Sequence, residues 1–119
     1  MSFYESCENV RIEINDDAIY LHCDARNEDG ESQSASLRLD DFIGNEDGWF
    51  MWDGVNAGQS AHNVELDGSM LTAELPMRDG GHRERQGIDL NDRISNENGR
   101  LELQWLASGG QYHVCKQLL

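Results

Sequence analysis

A chain of 119 residues carrying 23 acidic against 9 basic side chains, a formal net charge of −14, repels phosphate backbones and anionic bilayers, and it has no Lys/Arg cluster to offset that field. Nucleic acid and membrane are therefore excluded as expected partners, and no uninterrupted apolar run is long enough to span a bilayer. The length suits one folding unit, since halves of some 50 to 60 residues bury too little surface to be comfortable alone.

The N-terminal MSFYESCENV lacks a basic segment followed by an apolar run, which predicts a cytoplasmic protein or one released by a non-classical route. Val10, Ile12 and Ile14, then Ile19, Leu21 and Cys23, alternate with polar residues at period two, the mark of half-buried strands. Asn15 to Asp17 separate the runs as a hairpin bend, because Asn and Asp tolerate left-handed backbone. Val64 and Leu66, then Asp67-Gly68-Ser69, then Leu71, Ala73 and Leu75 repeat the arrangement. Each hairpin leads through a polar loop and a short strand into a ten-residue segment. LDDFIGNEDG, Leu39 to Gly48, and LNDRISNENG, Leu90 to Gly99, share six identities in register, so the chain is an internal duplication. Asp47-Gly48 and Asn98-Gly99 read as reversals in which glycine supplies positive φ, with Phe50/Trp52 and Leu101/Leu103/Trp105 on the strands that leave them. Trp49 or Met51 is expected to lie against the other half, and Trp49, Trp52 and Trp105 read as core rather than as sugar platforms.

Three cysteines, Cys7, Cys23 and Cys115, permit at most one internal disulfide. Their spacing gives no C-x-x-C pair, so zinc is not expected, and Asn45-Glu46-Asp47 offers too few alternating oxygens for a calcium loop. His22, His62, His82 and His113 are scattered, and no nucleophile is visibly paired with them. The chain is read as non-catalytic, with neither metal nor cofactor. The segment Ser108 to Leu119 matches neither repeat and is read as a C-terminal tail.

Phe-x-x-Ser-Cys at Phe3 to Cys7, the second cysteine at Cys23, the motif ending at Gly48 with Trp52 after it, and its second copy ending at Gly99 together resemble the cyanovirin-N family of mannose-binding lectins. The resemblance covers about Phe3 to Trp105. It implies an all-β, pseudo-symmetric two-lobed fold of triple-stranded sheets and β-hairpins, within a single domain over 1–107. Repeat 1 spans about 3–53 and repeat 2 about 54–107, each lobe takes strands from both repeats, and a glycan site lies at each far end. Site A would draw on Ser2, Phe3, Glu5, Ser6, Asp24, Ala25, Arg26, Asn96, Glu97 and Asn98. Site B would draw on Gly44, Asn45, Glu46, Asp47, Asn56, Gln59, Ser60, Met77 and Arg78. The implied ligands are mannose oligosaccharides or high-mannose glycoproteins, with terminal α1,2-linked dimannose as the unit bound.

The chemistry suits that class, because a neutral polyol needs carboxylate and amide acceptors beside amide, hydroxyl or guanidinium donors on rigid turns. Each neutral hydrogen bond gains only about 0.5 to 1.5 kcal/mol net of water, so weak binding is expected. The family's first disulfide corresponds to Cys7 and Cys23, whereas Ala61 and Leu75 stand where the second pair is expected. The family's proline at the repeat junction is replaced by Asp53-Gly54, which leaves a monomer as the expected state and a domain-swapped dimer as the variant. Asp47, Gln59, Ser60 and Arg78 keep polar groups at site B, whereas Asn98 replaces an acid at site A, and the reading leans to site B. The alternative is a protein-interaction or structural module that has kept the fold without useful sugar binding.

Overall fold

The computed structural model describes residues 3–104, so Ser2, Trp105, Cys115, His113 and the tail from Ser108 lie outside the described residues. Among the described residues ten strands are joined by short turns and four single-turn 3₁₀ segments, an all-β architecture. β1 (Cys7–Asn15), β2 (Ala18–Arg26) and β3 (Ser32–Arg38) form an antiparallel sheet in that order, and β4 (Ile43–Glu46) pairs with β5 (Trp49–Trp52). Repeat 2 writes the same order. β6 (His62–Asp67), β7 (Met70–Glu74) and β8 (Gln86–Asp89) form the second three-stranded sheet, and β9 (Ile94–Glu97) pairs with β10 (Arg100–Leu103). The β9–β10 hairpin of repeat 2 lies against β3, and the β4–β5 hairpin of repeat 1 lies against β8, so each lobe is made by both repeats.

The turns follow from their residues. Asp16 and Asp17 both have positive φ, 54° and 63°, giving the tight two-residue connection that matches the twist of paired strands. Asp47 and Gly48 at 53° and 90°, and Asn98 and Gly99 at 54° and 92°, repeat that geometry at opposite ends of the molecule. Simple alternation did not disclose one shared irregularity. The register shifts between Glu8 and Arg11 and between His62 and Glu65, around left-handed Asn9 and Asn63. Each bulge asparagine donates its side-chain amide across the hairpin, Asn9 to Asp24 at 2.7 Å and Asn63 to Glu74 at 3.1 Å. Past the bulge, Val10 and Ile12 are half-buried and Ile14 is exposed at the hairpin tip, while Ile19, Leu21 and Cys23 on β2 carry the burial.

Phe3, Ile19, Leu21, Leu39, Ile43, Leu71, Leu90 and Ile94 form the shared core, drawn from both repeats. Inside it sits Asp40, 1% exposed, accepting hydrogen bonds from the backbone N–H groups of Ile19 at 3.1 Å and Gly58 at 3.1 Å. Its counterpart Asn91 accepts from Tyr4 N–H at 3.2 Å. One polar residue per repeat thus fastens the entry turn of the other repeat. Buried Arg93 lies in the place of Phe42; its guanidinium meets Asp53 at the repeat junction at 3.2 and 3.3 Å and faces the Trp52 ring.

The register corrects one assignment. Glu8 pairs with Asp24 as His62 pairs with Glu74, so Ala73, not Leu75, is the counterpart of Cys23, and Leu75 is that of Ala25. Repeat 2 therefore carries two alanines, Ala61 and Ala73, at the positions where repeat 1 has its cysteines. Cys7 and Cys23 are present as two buried thiols that share a hydrogen bond. Burial pushes both up, Cys23 to about 12. The tryptophan expectation also fails in part: Trp52 packs against the core, but Trp49 is 50% exposed.

Candidate functional site

Each end is assembled on one asparagine. At end A the Asn96 side chain accepts from Gly99 N–H at 2.8 Å, which closes the β9–β10 turn. Its amide nitrogen lies 2.9 Å from both the Ser6 hydroxyl and the Arg26 carbonyl, joining the N-terminal segment and the end of β2 to that turn. At end B, Asn45 accepts from Gly48 N–H at 2.8 Å and donates to the Ser60 hydroxyl at 3.0 Å and the Pro76 carbonyl at 3.1 Å. Asn45 and Asn96 are thus occupied as joints, and the polar atoms left for a ligand belong to their neighbours.

The loop facing each turn is duplicated as well. Asn27 N–H donates to Glu31 carbonyl and Gly30 N–H to Asn27 carbonyl, as Met77 N–H does to Gly81 and Gly80 N–H to Met77. Asn27 and Glu28 are therefore the counterparts of Met77 and Arg78. Glu28 N–H donates to Asn98 at 2.8 Å and Arg78 N–H to Asp47 at 2.9 Å, so the same backbone clasp is made with an amide at one end and an acid at the other.

What stands on that clasp differs. At end A an open cleft of about 450 Å³ is lined by Ser6, Arg26, Asn27, Glu28, Asn96, Glu97 and Asn98. Glu97 accepts from the Ser95 hydroxyl at 2.6 Å, and Arg26 reaches Glu8 at 3.6 Å on the rim. At end B the guanidinium of Arg78 crosses the turn to pair with Glu46 and lies 3.9 Å from the Asp47 carboxylate. Arg83 adds a second cation, donating to the Asp47 carbonyl at 2.9 Å while its guanidinium stacks 4.1 Å above the Trp49 ring. The acceptors of end B are thereby largely engaged within the protein.

Of the residues expected at site A, Ser6, Arg26, Asn96, Glu97 and Asn98 line one cleft. Glu5 is exposed nearby in the N-terminal 3₁₀ turn, and Asp24 accepts from Asn9. Phe3 and Ala25 are fully buried, so their side chains serve the core and not a ligand. At site B, Gly44 bridges to Asn56, whose φ of 64° starts the 3₁₀ turn Ala57–Gln59, and Gln59 is exposed beyond it. Met77 sits over Gly48, whose missing side chain leaves room for it. The expected site A lacks Asn27 and Glu28, although the repeat carries the signal, since Met77 and Arg78 hold the same places at the other end. The expected site B lacks Arg83, whose role depends on how the loop folds back onto Trp49.

Among the described residues no group of three or more His, Cys, Asp or Glu side chains is placed to hold a metal ion, and no helix is long and apolar enough to cross a membrane.

Comparison with known proteins agrees with this architecture. The model of the CVNH domain family matches residues 3–102. A cyanovirin-N homolog from Neurospora crassa is 34% identical over 111 residues, covering 88% of this chain and all of the relative. The solved structure of the Tuber borchii homolog superposes with a TM-score of 0.76 at 40% identity, covering 87% of this chain and all of that one. A microvirin:mannobiose complex superposes with a TM-score of 0.72 at 26% identity, covering 87% of this chain and 99% of that one. The duplicated turn, the strands exchanged between lobes and these likenesses place the chain in the cyanovirin-N homolog family, with its all-β lectin fold.

Proposed function

We propose that this protein is a non-catalytic lectin for terminal α-linked mannose, with α1,2-linked dimannose as the unit recognised, and that end A is its main site. The observation that carries this reading is the open cleft of about 450 Å³ whose walls are carboxylate, amide, hydroxyl and guanidinium groups held on two clasped turns. A sugar hydroxyl both donates and accepts, so a site that alternates acids and amides with a serine and an arginine meets a polyol without demanding charge from it. Glu28 and Glu97 supply acceptors, Arg26 and the Asn27 amide supply donors, and the backbone clasp from Glu28 to Asn98 keeps the walls in place before ligand arrives. The family's fold and the mannobiose complex of a relative support the choice of sugar.

End B keeps the same frame but offers fewer free acceptors, because Arg78 spans Glu46 and Asp47. The preference drawn from residue types alone is thus reversed. A few hydrogen bonds in an open, solvated cleft, each gaining about 0.5 to 3 kcal/mol before the cost of immobilising the sugar, suggest millimolar to high micromolar affinity.

Titration of ¹⁵N-labelled protein with α1,2-mannobiose tests the reading. Amides of Ser6, Asn27, Glu28 and Asn96 to Asn98 are expected to shift together, with smaller shifts at Glu46 to Gly48. Silence at both ends at millimolar sugar defeats the lectin reading, and shifts confined to end B defeat the assignment of the main site.

A further inference from the structure

We infer that Trp49 is an aromatic platform at end B for a β-linked, gluco-configured oligosaccharide, a sugar class distinct from the α-mannose taken by the polar cleft of end A. The inference stands independently of the mannose reading.

The pseudo-symmetry supplies an internal control. The residue after the turn glycine is Trp49 at one end and Arg100 at the other, and Arg100 is an exposed side chain paired with Glu102 at 3.0 Å. The fold therefore does not require an aromatic ring at this position. Yet Trp49 is 50% exposed, and leaving that much apolar surface in water forgoes burial that an indole ordinarily gains.

The ring is also held still. Arg83 stacks on it with its guanidinium carbon 4.1 Å from the ring centroid and is itself fixed by its hydrogen bond to the Asp47 carbonyl. The Nε atom of Arg83 is buried with no hydrogen-bond partner, so the stacked pose is kept even at the cost of an unsatisfied donor. At end A the corresponding loop residue is Gln33, whose amide donates to the Gly99 carbonyl at 3.2 Å.

The strand register sets what surrounds the platform. Trp49 pairs with Glu46 and Met51 with Gly44, so Trp49, Met51 and Glu46 share one face of the β4–β5 hairpin. Met51 is 44% exposed, and the backbone of Gly54 and Val55 packs closely against Gly44, where a side chain would otherwise stand. The Arg78–Glu46 pair borders the apolar strip with exposed donors and acceptors.

A flat apolar face with a polar edge fits a sugar whose hydroxyls all lie at its rim. In a β-linked glucose unit every ring substituent is equatorial, so both faces present only axial C–H groups to the electron-rich indole while the hydroxyls point outward. An α-linked mannose carries an axial hydroxyl on one face and an axial glycosidic oxygen on the other, so neither face lies flat on the ring. The net charge of −14 disfavours an anionic glycan at the same place.

The test is a ¹H–¹⁵N NMR titration of the full chain with cellotetraose, with α1,2-mannobiose as comparator, following the Trp49 indole N–H assigned by its loss in Trp49→Ala. Cellotetraose is expected to move that indole together with the Glu46 and Arg78 amides. Trp49→Ala is expected to weaken the response at least tenfold and to leave a dispersed spectrum and the end A amides unchanged. An indole that stays still at millimolar cellotetraose overturns the inference, as does an equal response to mannobiose. An undiminished response of Glu46 and Arg78 in the variant does the same. If Trp49→Ala instead converts a dimer to a monomer in sedimentation with no sugar response, the exposed ring serves contact between copies of the chain and the inference is also overturned.

Discussion

The two ends of this molecule use one turn, one asparagine joint and one backbone clasp, yet place opposite charges at the same position, Glu28 at end A and Arg78 at end B. At end A Glu28 makes no ion pair among the described residues, Arg26 of the same cleft reaching Glu8 instead, and the cleft stays open. At end B the arginine finds Glu46 and Asp47 and closes over them. Duplication therefore preserves the frame strictly while the residues on it are free to diverge, because the frame is held by main-chain groups, buried Asp40 and half-buried Asn91 rather than by the side chains that would meet a ligand.

The largest expected effect tests the frame. Asp40 and Asn91 perform corresponding tasks, but Asp40 serves one buried and one part-buried N–H group and Asn91 one at an exposed edge. Asp40→Ala is expected to lower unfolding stability by about 3 kcal/mol or more, and Asn91→Ala by about 1 kcal/mol, in urea denaturation. Equal losses would mean that the two repeats are fastened alike and that burial does not separate them.

A smaller effect concerns the ends themselves. Glu28→Arg is expected to close end A by reaching Glu97 across the turn and to weaken mannobiose binding there about tenfold, or about 1.4 kcal/mol. Arg78→Glu is expected to free Glu46 and Asp47 and raise the response at end B, both read from amide shifts. If neither exchange moves the balance, the charge at this loop position is not what distinguishes the ends.

The smallest concerns the sheets behind them, which differ in Cys7 and Cys23 against Ala61 and Ala73. Both thiols are shifted upward from an ordinary 9.0, Cys23 to about 12, chiefly by burial. A group raised in this sense contributes stability that is fully present below about pH 9 and is lost as pH rises through the folded value, because the unfolded chain releases its protons first. Under reducing conditions stability is expected to be flat to about pH 8.5 and to fall by about 1 kcal/mol near pH 9.5, continuing towards pH 12. Cys7→Ala/Cys23→Ala is expected to remove that decline.

Much of the fold was legible because turn chemistry is local: Asp16-Asp17, Asp47-Gly48 and Asn98-Gly99 tolerate the left-handed backbone that a two-residue hairpin turn requires, and the strands between them follow from period-two alternation. The bulges at Asn9 and Asn63 were not legible, since an extra residue in a strand leaves no mark on composition, and they displaced the counterpart of Cys23 from Leu75 to Ala73. The candidate site divides the same way. Ser6, Asn96, Glu97 and Asn98 could be named from the motif, whereas Asn27 and Glu28 join them only because the loop after β2 folds back to clasp Asn98.

By itself, then, the sequence determined the duplicated turns, the strand order and the absence of a basic surface, all properties of neighbouring residues or of their sum. Tertiary structure decided which side chains oppose one another across the two ends. Whether Trp49 is core or platform, and whether Arg78 is a ligand donor or a clamp, depends on loops from the other repeat, and no local pattern records how closely those loops approach.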